Sequence, residues 1–130
     1  MRAQGGIVVD VIRSLHHVQL AMPAGRENDA EGFYSGVLGI PRVPKPENLE
    51  RRGGCWFTSA TVEIHLGVEE PFRPASKAHP ALLVEDLEGL RTRLADAGYP
   101  TSADEPLPGF DRFYSQDPFG NRIEFLRPPD

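Results

Sequence analysis

Two histidines and two glutamates recur at nearly the same spacing along this 130-residue chain. Glu124 follows His79 by 45 residues, and Glu63 follows His17 by 46 residues. Imidazole nitrogens and carboxylate oxygens bind divalent first-row metals and leave positions open for water or substrate. A buried cluster of these groups is costly unless it holds a cation. If the four side chains converge, they predict a metal site; the alternative is four unrelated polar residues.

Each of the four residues lies in a stretch whose side chains alternate between apolar and polar, as in a half-buried strand. The apolar positions of these stretches are Val18 and Leu20, Ile64 and Leu66, Leu82 and Val84, and Ile123 and Phe125. The histidines and glutamates have the opposite parity, so we expect them on the face turned away from the helices. Gln19 and His65 share that parity, whereas His16 does not.

Each half of the chain also contains a helical pattern that ends in Gly-x-Pro. Residues 27–38 carry one apolar stripe and close at Gly39, while Asp86 is placed to cap a second helix that closes at Gly98. Residues 41–52 are predicted to be irregular. Strands are predicted over residues 14–22, 54–58, 61–68, 78–84, 112–116 and 122–126. The halves therefore form a two-copy repeat of about 50 residues.

Composition restricts the partners and the compartment. The net charge is −5 and no run of Lys and Arg exceeds two residues, which argues against nucleic acid or an anionic membrane. No apolar run approaches the ~20 residues that span a bilayer, and no long apolar leader is present at the N-terminus. The single cysteine, Cys55, permits no internal disulfide, so a cytoplasmic location is expected. Cys55 is predicted to be a buried side chain, not a nucleophile.

Four stretches, in this order and at this spacing, resemble the vicinal oxygen chelate superfamily, which includes glyoxalase I, bleomycin-binding proteins, fosfomycin-resistance proteins and extradiol dioxygenases. They are residues 15–20, 33–39, 79–87 and 117–124. The resemblance covers residues 13–127 and implies an α+β fold of two tandem βαβββ modules that form a curved, mixed-sheet half-barrel cup. We place an N-terminal extension or extra edge strand at 1–12 and a single domain at 13–130. Module one is expected at 13–68, the linker at 69–77 and module two at 78–127.

The resemblance also implies a metal-ligand set. Glyoxalase I-like members hold a divalent ion with four side chains, whose matching positions are His17, Glu63, His79 and Glu124. Fosfomycin-resistance and dioxygenase members use three, matching His17, His79 and Glu124. Zn, Ni, Co, Mn and Fe all remain open as the metal. By the same resemblance Glu124 is the expected base, with Glu63 sharing that role, and a homodimer is expected whose cups can be built from modules of two chains.

Several neighbouring residues are expected to support the ligands or face a substrate. His65 can replace or supplement Glu63, and Gln19 and Trp56 are further candidates. Arg122 shares the face of Glu124 and is expected either to pair with it or to bind an anionic substrate. Among positions assigned a weaker signal, Arg112 is predicted to lie on a solvated surface, and Tyr114 either to line a pocket or to pack in the core.

Three functions remain open at this stage. The first is a metal-dependent, glyoxalase-like lyase or isomerase that acts on a small oxygenated metabolite through a metal-stabilised oxyanion. The second is a non-catalytic protein that binds a small molecule or antibiotic, as bleomycin-resistance proteins do. The third is an Fe(II) dioxygenase. The intact His and Glu quartet favours the first, although no counterpart of the residues that bind glutathione in glyoxalase I is recognisable.

Overall fold

The computed structural model describes residues 10–130. The elements of the first half are β1 (Val18–Met22), α1 (Glu27–Glu31) with a π-helical continuation (Gly32–Val37), β2 (Arg42–Val43), a 3₁₀ helix (Glu47–Arg52), β3 (Cys55–Thr58) and β4 (Glu63–Val68). Those of the second half are β5 (Ala81–Leu83), α2 (Leu87–Asp96), β6 (Asp111–Gln116) and β7 (Arg122–Arg127). The predicted extension at residues 1–12 falls outside the described chain except for its last three residues.

The strands form two mixed sheets, with strand orders β1-β4-β3-β2 and β5-β7-β6. In each sheet the first strand pairs in parallel with the last, and the other pairings are antiparallel. In the second half, the place of β2 is reduced to an isolated bridge between Ser102 and Tyr114. The α+β fold with two tandem βαβββ modules is therefore confirmed. The sheets do not close into a barrel.

Both predicted helices form. The first begins at Glu27, and its apolar stripe buries Ala30, Phe33 and Tyr34. Its end is followed by Gly39 at φ +78°, a left-handed conformation that glycine adopts without a steric penalty. The second helix is capped as expected, because the Asp86 carboxylate accepts a 2.9 Å hydrogen bond from the backbone N–H of Gly89.

Four strands are shorter than predicted: β3 and β4 begin one and two residues late, and the other two lose more. The strand predicted from residue 78 begins at Ala81 because Pro80, which has no N–H, cannot donate to the ladder. The strand predicted from residue 14 begins at Val18, which pairs with Ile64 near the start of β4, so earlier residues have no strand beside them. Residues 41–52, predicted to be irregular, contain β2 and the 3₁₀ helix instead.

One apolar core joins the two halves. It includes Phe33 and Phe57 from the first half and Phe113 and Phe125 from the second, all at most 1% exposed. The ring of Phe33 also packs edge-on against Tyr99, just beyond α2. Because this core lies on one side of each sheet, the alternate side chains are left on the opposite faces. No helix among residues 10–130 is long and apolar enough to cross a membrane.

Candidate functional site

The polar face of the first sheet carries the residues that strand parity placed there. His65 in β4 pairs with Gln19 in β1 on one side and with Trp56 in β3 on the other, so the three share a face. Ile64 and Leu66, which alternate with His65, are buried in the core. The predicted orientation of β4 is thus confirmed, because side chains along a strand alternate between its faces.

Three side chains at the start of this face form what we call the His–Glu group: His16, His17 and Glu63. One possible ligand atom from each of the three lies within 4.8 Å of the other two, and across residues 10–130 no other set of three or more His, Cys, Asp or Glu is as close. His16 Nδ1 is 2.9 Å from His17 Nδ1 and 4.0 Å from Glu63 Oε2. Both histidines precede β1, where alternation no longer applies, so His16 joins the group despite its parity and His17 is not held there by a strand.

An aromatic stack supports this group. The His17 ring lies on His65 with ring centres 4.1 Å apart, and His65 lies on Trp56 at 3.9 Å with an angle of 4° between the planes. Burial lowers the pKa of His65, against the opposing effect of its hydrogen bond to Glu63. Since a carboxylate only accepts, His65 Nε2 donates this 2.9 Å bond. This hydrogen bond from His65 therefore orients the Glu63 carboxylate.

The second sheet brings His79 and Glu124 into direct contact. His79 Nε2 is 2.9 Å from Glu124 Oε1, and His79 Nδ1 is 2.8 Å from the carbonyl oxygen of Lys77. Burial raises the pKa of Glu124, but hydrogen bonds from His79 and Arg112 outweigh burial and hold this pKa below its ordinary value. Glu124 is therefore an ionised carboxylate at neutral pH, and it is only 6% exposed.

Arg112 and Tyr114 also lie at this site, although the sequence analysis assigned them only a weak signal. Arg112 Nη1 donates to Glu124 Oε2 at 3.2 Å and to Tyr114 Oη at 2.8 Å. The Arg112 side chain is 15% exposed, so the prediction of a solvated surface was wrong. The missing information was register: β6 pairs with β7 so that Tyr114 lies opposite Glu124. Alternation with buried Phe113 was the one available signal.

Arg122 does not pair with Glu124, because Arg112 occupies the second carboxylate oxygen. Its guanidinium carbon lies 3.9 Å from the centre of the Tyr114 ring, a cation–π geometry. The nearest carboxylate oxygen in its ion pairs is Asp104 Oδ2, 3.6 Å from Arg122 Nη2. The structural ion pair expected for Arg122 therefore exists with a different acid.

A cavity of about 390 Å³ lies between β1 and the second sheet. Gln19, His79 and Arg122, all singled out in the sequence, line it together with Arg73. Gln19 depends on Gly67 for its position, because a Cβ on Gly67 would come within 2.6 Å of Gln19 Nε2. Larger cavities exist elsewhere, including one of about 620 Å³ beside β5 and α2 that none of the predicted site residues lines.

The four predicted ligands fall into two pairs within one chain. His17 and Glu63 belong to the His–Glu group, and His79 and Glu124 contact each other on the second sheet. Among the described residues, no set of three close donors combines members of both pairs. The donor chemistry of each pair nevertheless fits a divalent ion, since each offers an imidazole nitrogen and a carboxylate oxygen.

Comparison with known proteins identifies a family model and several solved structures that this chain resembles. The family model described as Glyoxalase/Bleomycin resistance protein/Dioxygenase superfamily matches residues 14–125. No curated protein matches the chain. A crystal structure of a glyoxalase family protein from Bacillus anthracis is 43% identical, with 94% of this chain and 100% of that chain covered and a TM-score of 0.88.

Two more distant structures share the fold alone. The fosfomycin resistance protein FosX from Listeria monocytogenes is 14% identical, with 92% and 94% of the two chains covered and a TM-score of 0.69. TnmS3, an antibiotic binding protein from Streptomyces sp. CB03234, is 20% identical, with 91% and 99% covered and a TM-score of 0.68. One fold thus carries proteins described by different activities.

Proposed function

The chain belongs to the Glyoxalase/Bleomycin resistance protein/Dioxygenase superfamily, and from this premise we propose that it is a metal-dependent enzyme of the glyoxalase type. It would act as a lyase or isomerase on a small oxygenated metabolite. The proposed metal ligands are His17, Glu63, His79 and Glu124, and the metal is a divalent ion such as Zn, Ni, Co, Mn or Fe. The proposed acid–base groups are Glu124 and Glu63.

The hydrogen bonds of His79 carry this proposal. Its Nδ1 faces the Lys77 carbonyl at 2.8 Å, and a carbonyl only accepts, so the proton belongs on Nδ1. The remaining nitrogen, Nε2, lies 2.9 Å from Glu124 Oε1, so it donates a proton to that oxygen while no cation is bound and can offer its lone pair to a cation in place of that proton. Two lone pairs facing each other need a proton or a cation between them. Metal-binding histidines are commonly fixed in this way, with the second nitrogen donating to a carbonyl.

The chain's own groups are suited to proton transfer next to such an ion. When bound, a divalent ion supplies a Lewis acid that stabilises negative charge on a substrate oxygen. Glu124 is ionised and can accept a proton, and Glu63 is held in place by its bond from His65. Tyr114 keeps its hydroxyl proton, because burial and the charge of Glu124 raise its pKa. Its ring packs edge-on against the His79 ring.

We further infer a homodimer in which the His–Glu group of one copy faces the second sheet of the other. Within one chain the two ligand pairs are not combined, so a second copy is one way to complete the quartet. Leu15, two residues before His17, and Leu83, in the strand that follows His79, are 78% and 73% exposed. Exposed apolar side chains beside both pairs are typical of a surface that becomes covered on association.

Metal analysis tests the proposal directly. The protein is purified without chelators, and its metal content is measured together with its mass in solution. We expect one divalent ion per site in a dimer, lost in His79→Ala and Glu124→Gln and retained in Glu85→Gln, which removes an exposed carboxylate beside β5. A folded wild-type protein that neither contains nor takes up Ni, Co, Zn, Mn or Fe would contradict it.

A non-catalytic binding protein is the second candidate, and one contact favours it. Arg112 Nη1 lies 3.2 Å from Glu124 Oε2, so a guanidinium already compensates the charge of the buried carboxylate without a metal ion. A small-molecule or antibiotic binder would use the same cavity and need no metal. Turnover decides between the candidates, because Glu124→Gln should abolish it in an enzyme, whereas a binder shows no turnover with either residue. No contact among the described residues favours the dioxygenase.

A further inference from the structure

Beside Glu124, the polar face of the second sheet carries what we call the Arg–Tyr cluster: Arg112, Tyr114 and Arg122. Tyr114 is 5% exposed, and both guanidiniums lie over its ring, at 5.4 Å for Arg112 and 3.9 Å for Arg122. An arginine stacked on an aromatic face keeps the N–H donors at the edge of its plane directed outward. The cluster thus presents two guanidiniums in fixed positions, and neither belongs to the proposed set of metal ligands.

The two guanidiniums differ in how fully they are used. Arg112 donates to Glu124, to Tyr114 and to the carbonyl of Glu105, although its buried Nε has no hydrogen-bond partner. The Arg122 side chain makes no hydrogen bond to any described side chain or backbone group, and the nearest acid in its ion pairs is 3.6 Å away. Arg122 therefore has a full set of donors available for a ligand.

That nearest acid, Asp104, lies between the two arginines. Asp104 Oδ2 is 3.6 Å from Arg122 Nη2 and 3.9 Å from Arg112 Nη2, which is too long for a direct hydrogen bond. Its other oxygen accepts from the backbone N–H of Glu105, and the side chain is 42% exposed. Such a solvated pair contributes little stability. A ligand oxyanion that bonds directly to both guanidiniums would therefore displace it.

Arg122 also reaches the cavity described above. It lines that 390 Å³ space with Gln19, Arg73 and His79. A ligand group held by Arg122 would thus be anchored in the same space that exposes His79. The charged residues that line this space are Arg73, Arg122 and Glu69, and the excess of positive charge favours a ligand that carries negative charge.

We propose that Arg122, positioned by Tyr114 and assisted by Arg112, binds a carboxylate or phosphate group of the ligand, and that Asp104 occupies this oxyanion position while the cavity is empty. This inference rests on the proposed function, since it names the substrate class for the same site. Arg122 offers the planar, two-donor edge that matches a carboxylate or phosphate oxygen pair. The uncharged part of the ligand would extend toward His79.

The test uses calorimetric titration of the full-length protein with lactate, inorganic phosphate and the uncharged analogue lactamide. Chelator-treated and metal-loaded protein are titrated separately. We expect lactate or phosphate to bind in both forms, and the relative affinities tell a carboxylate site from a phosphate site. Arg122→Gln should weaken that binding by about tenfold or more, because charge-assisted hydrogen bonds are lost. Arg122→Lys should weaken anion binding less, since lysine keeps the positive charge and loses only the paired N–H donors of the guanidinium.

The Asp104 variant separates displacement from general electrostatics. Asp104→Asn should tighten anion binding several-fold, whereas Asp111→Asn, which removes the same charge from an exposed position on β6 without an ion pair to either arginine, should not. Equal effects of the two variants would overturn the proposal, as would unchanged binding in Arg122→Gln or lactamide binding as tight as that of lactate. Arg122-dependent binding by metal-free protein would support the anion site even if the metal proposal fails.

Discussion

Tyr34, in the helix of the first half, donates a 2.7 Å hydrogen bond to Asp117, in the last turn of the second half, across 83 residues of sequence. Asp117 also accepts from the backbone N–H groups of Phe119 and Asn121 and from the Asn121 side chain. One buried carboxylate therefore shapes the turn before β7 and fastens it to the other half. This turn leads directly into β7, the strand that carries Glu124.

Replacing Tyr34 with Phe should lower the free energy of unfolding by about 1.5–3 kcal/mol, because the bond is buried and its acceptor is charged. Urea denaturation followed by circular dichroism measures the loss. The matched control is Tyr99→Phe, since the Tyr99 hydroxyl makes no hydrogen bond to the described residues. Equal losses in the two variants would mean that ring packing, not the bond to Asp117, determines the cost.

Gly54→Ala should destabilise the first sheet severely. A Cβ at this position would lie 2.1 Å from the Leu66 carbonyl oxygen, and the backbone is left-handed at φ +83°. Gly25 has nearly the same angle, φ +81°, with nothing within 4 Å of its Cβ position. Gly25→Ala should therefore cost only about 1–2 kcal/mol, the strain of the conformation itself. Thermal melting of both variants separates the clash from the strain, and similar melting temperatures would refute the predicted clash.

Arg112→Gln should strengthen the binding of a divalent ion by at least about tenfold, because a guanidinium next to Glu124 both occupies its oxygen and repels a second cation. Titration with Ni²⁺ measures this change. Arg91→Gln is the control, since among the described residues Arg91 pairs with Glu88 on α2 and lies over the Phe113 ring, and neither is a proposed metal ligand. Weaker Ni²⁺ binding in Arg112→Gln would show instead that Arg112 helps to build the site.

Cys55 should be nearly inert in the folded protein. Burial raises the pKa of its thiol to about 11, so at pH 8 only ~0.1% is thiolate, against roughly a quarter for an unperturbed thiol. Because the folded pKa exceeds the unfolded one, the neutral thiol's contribution to stability is complete below about pH 8.5 and is lost as the pH rises through about 11. Reaction with Ellman's reagent should be slow in buffer and rapid in urea. Immediate reaction in buffer would contradict this.

Strand alternation was sufficient to predict which residues share a face with Glu63 and Glu124, because a period of two leaves no third possibility. It could not predict that Arg112 would reach Glu124, since that depends on the register between β6 and β7 across a five-residue turn. It also misjudged His16, whose backbone is not part of a strand. The separation of the two ligand pairs depends on how the two sheets pack against each other, which the alternation of side chains within one strand cannot predict.

The carbonyl of Lys77 has a consequence for how this chain tolerates insertions and deletions. Lys77 and His79 both lie in the segment between β4 and β5, and the Lys77 carbonyl is the acceptor that places a proton on His79 Nδ1. One residue added or removed between Lys77 and His79 would leave both sheets paired but move the acceptor relative to the imidazole. Nδ1 would then lose the partner that holds its proton, and the lone pair of Nε2 would no longer be kept for a cation beside Glu124. The spacing within a connecting segment would thereby control the chemistry of the histidine that it carries.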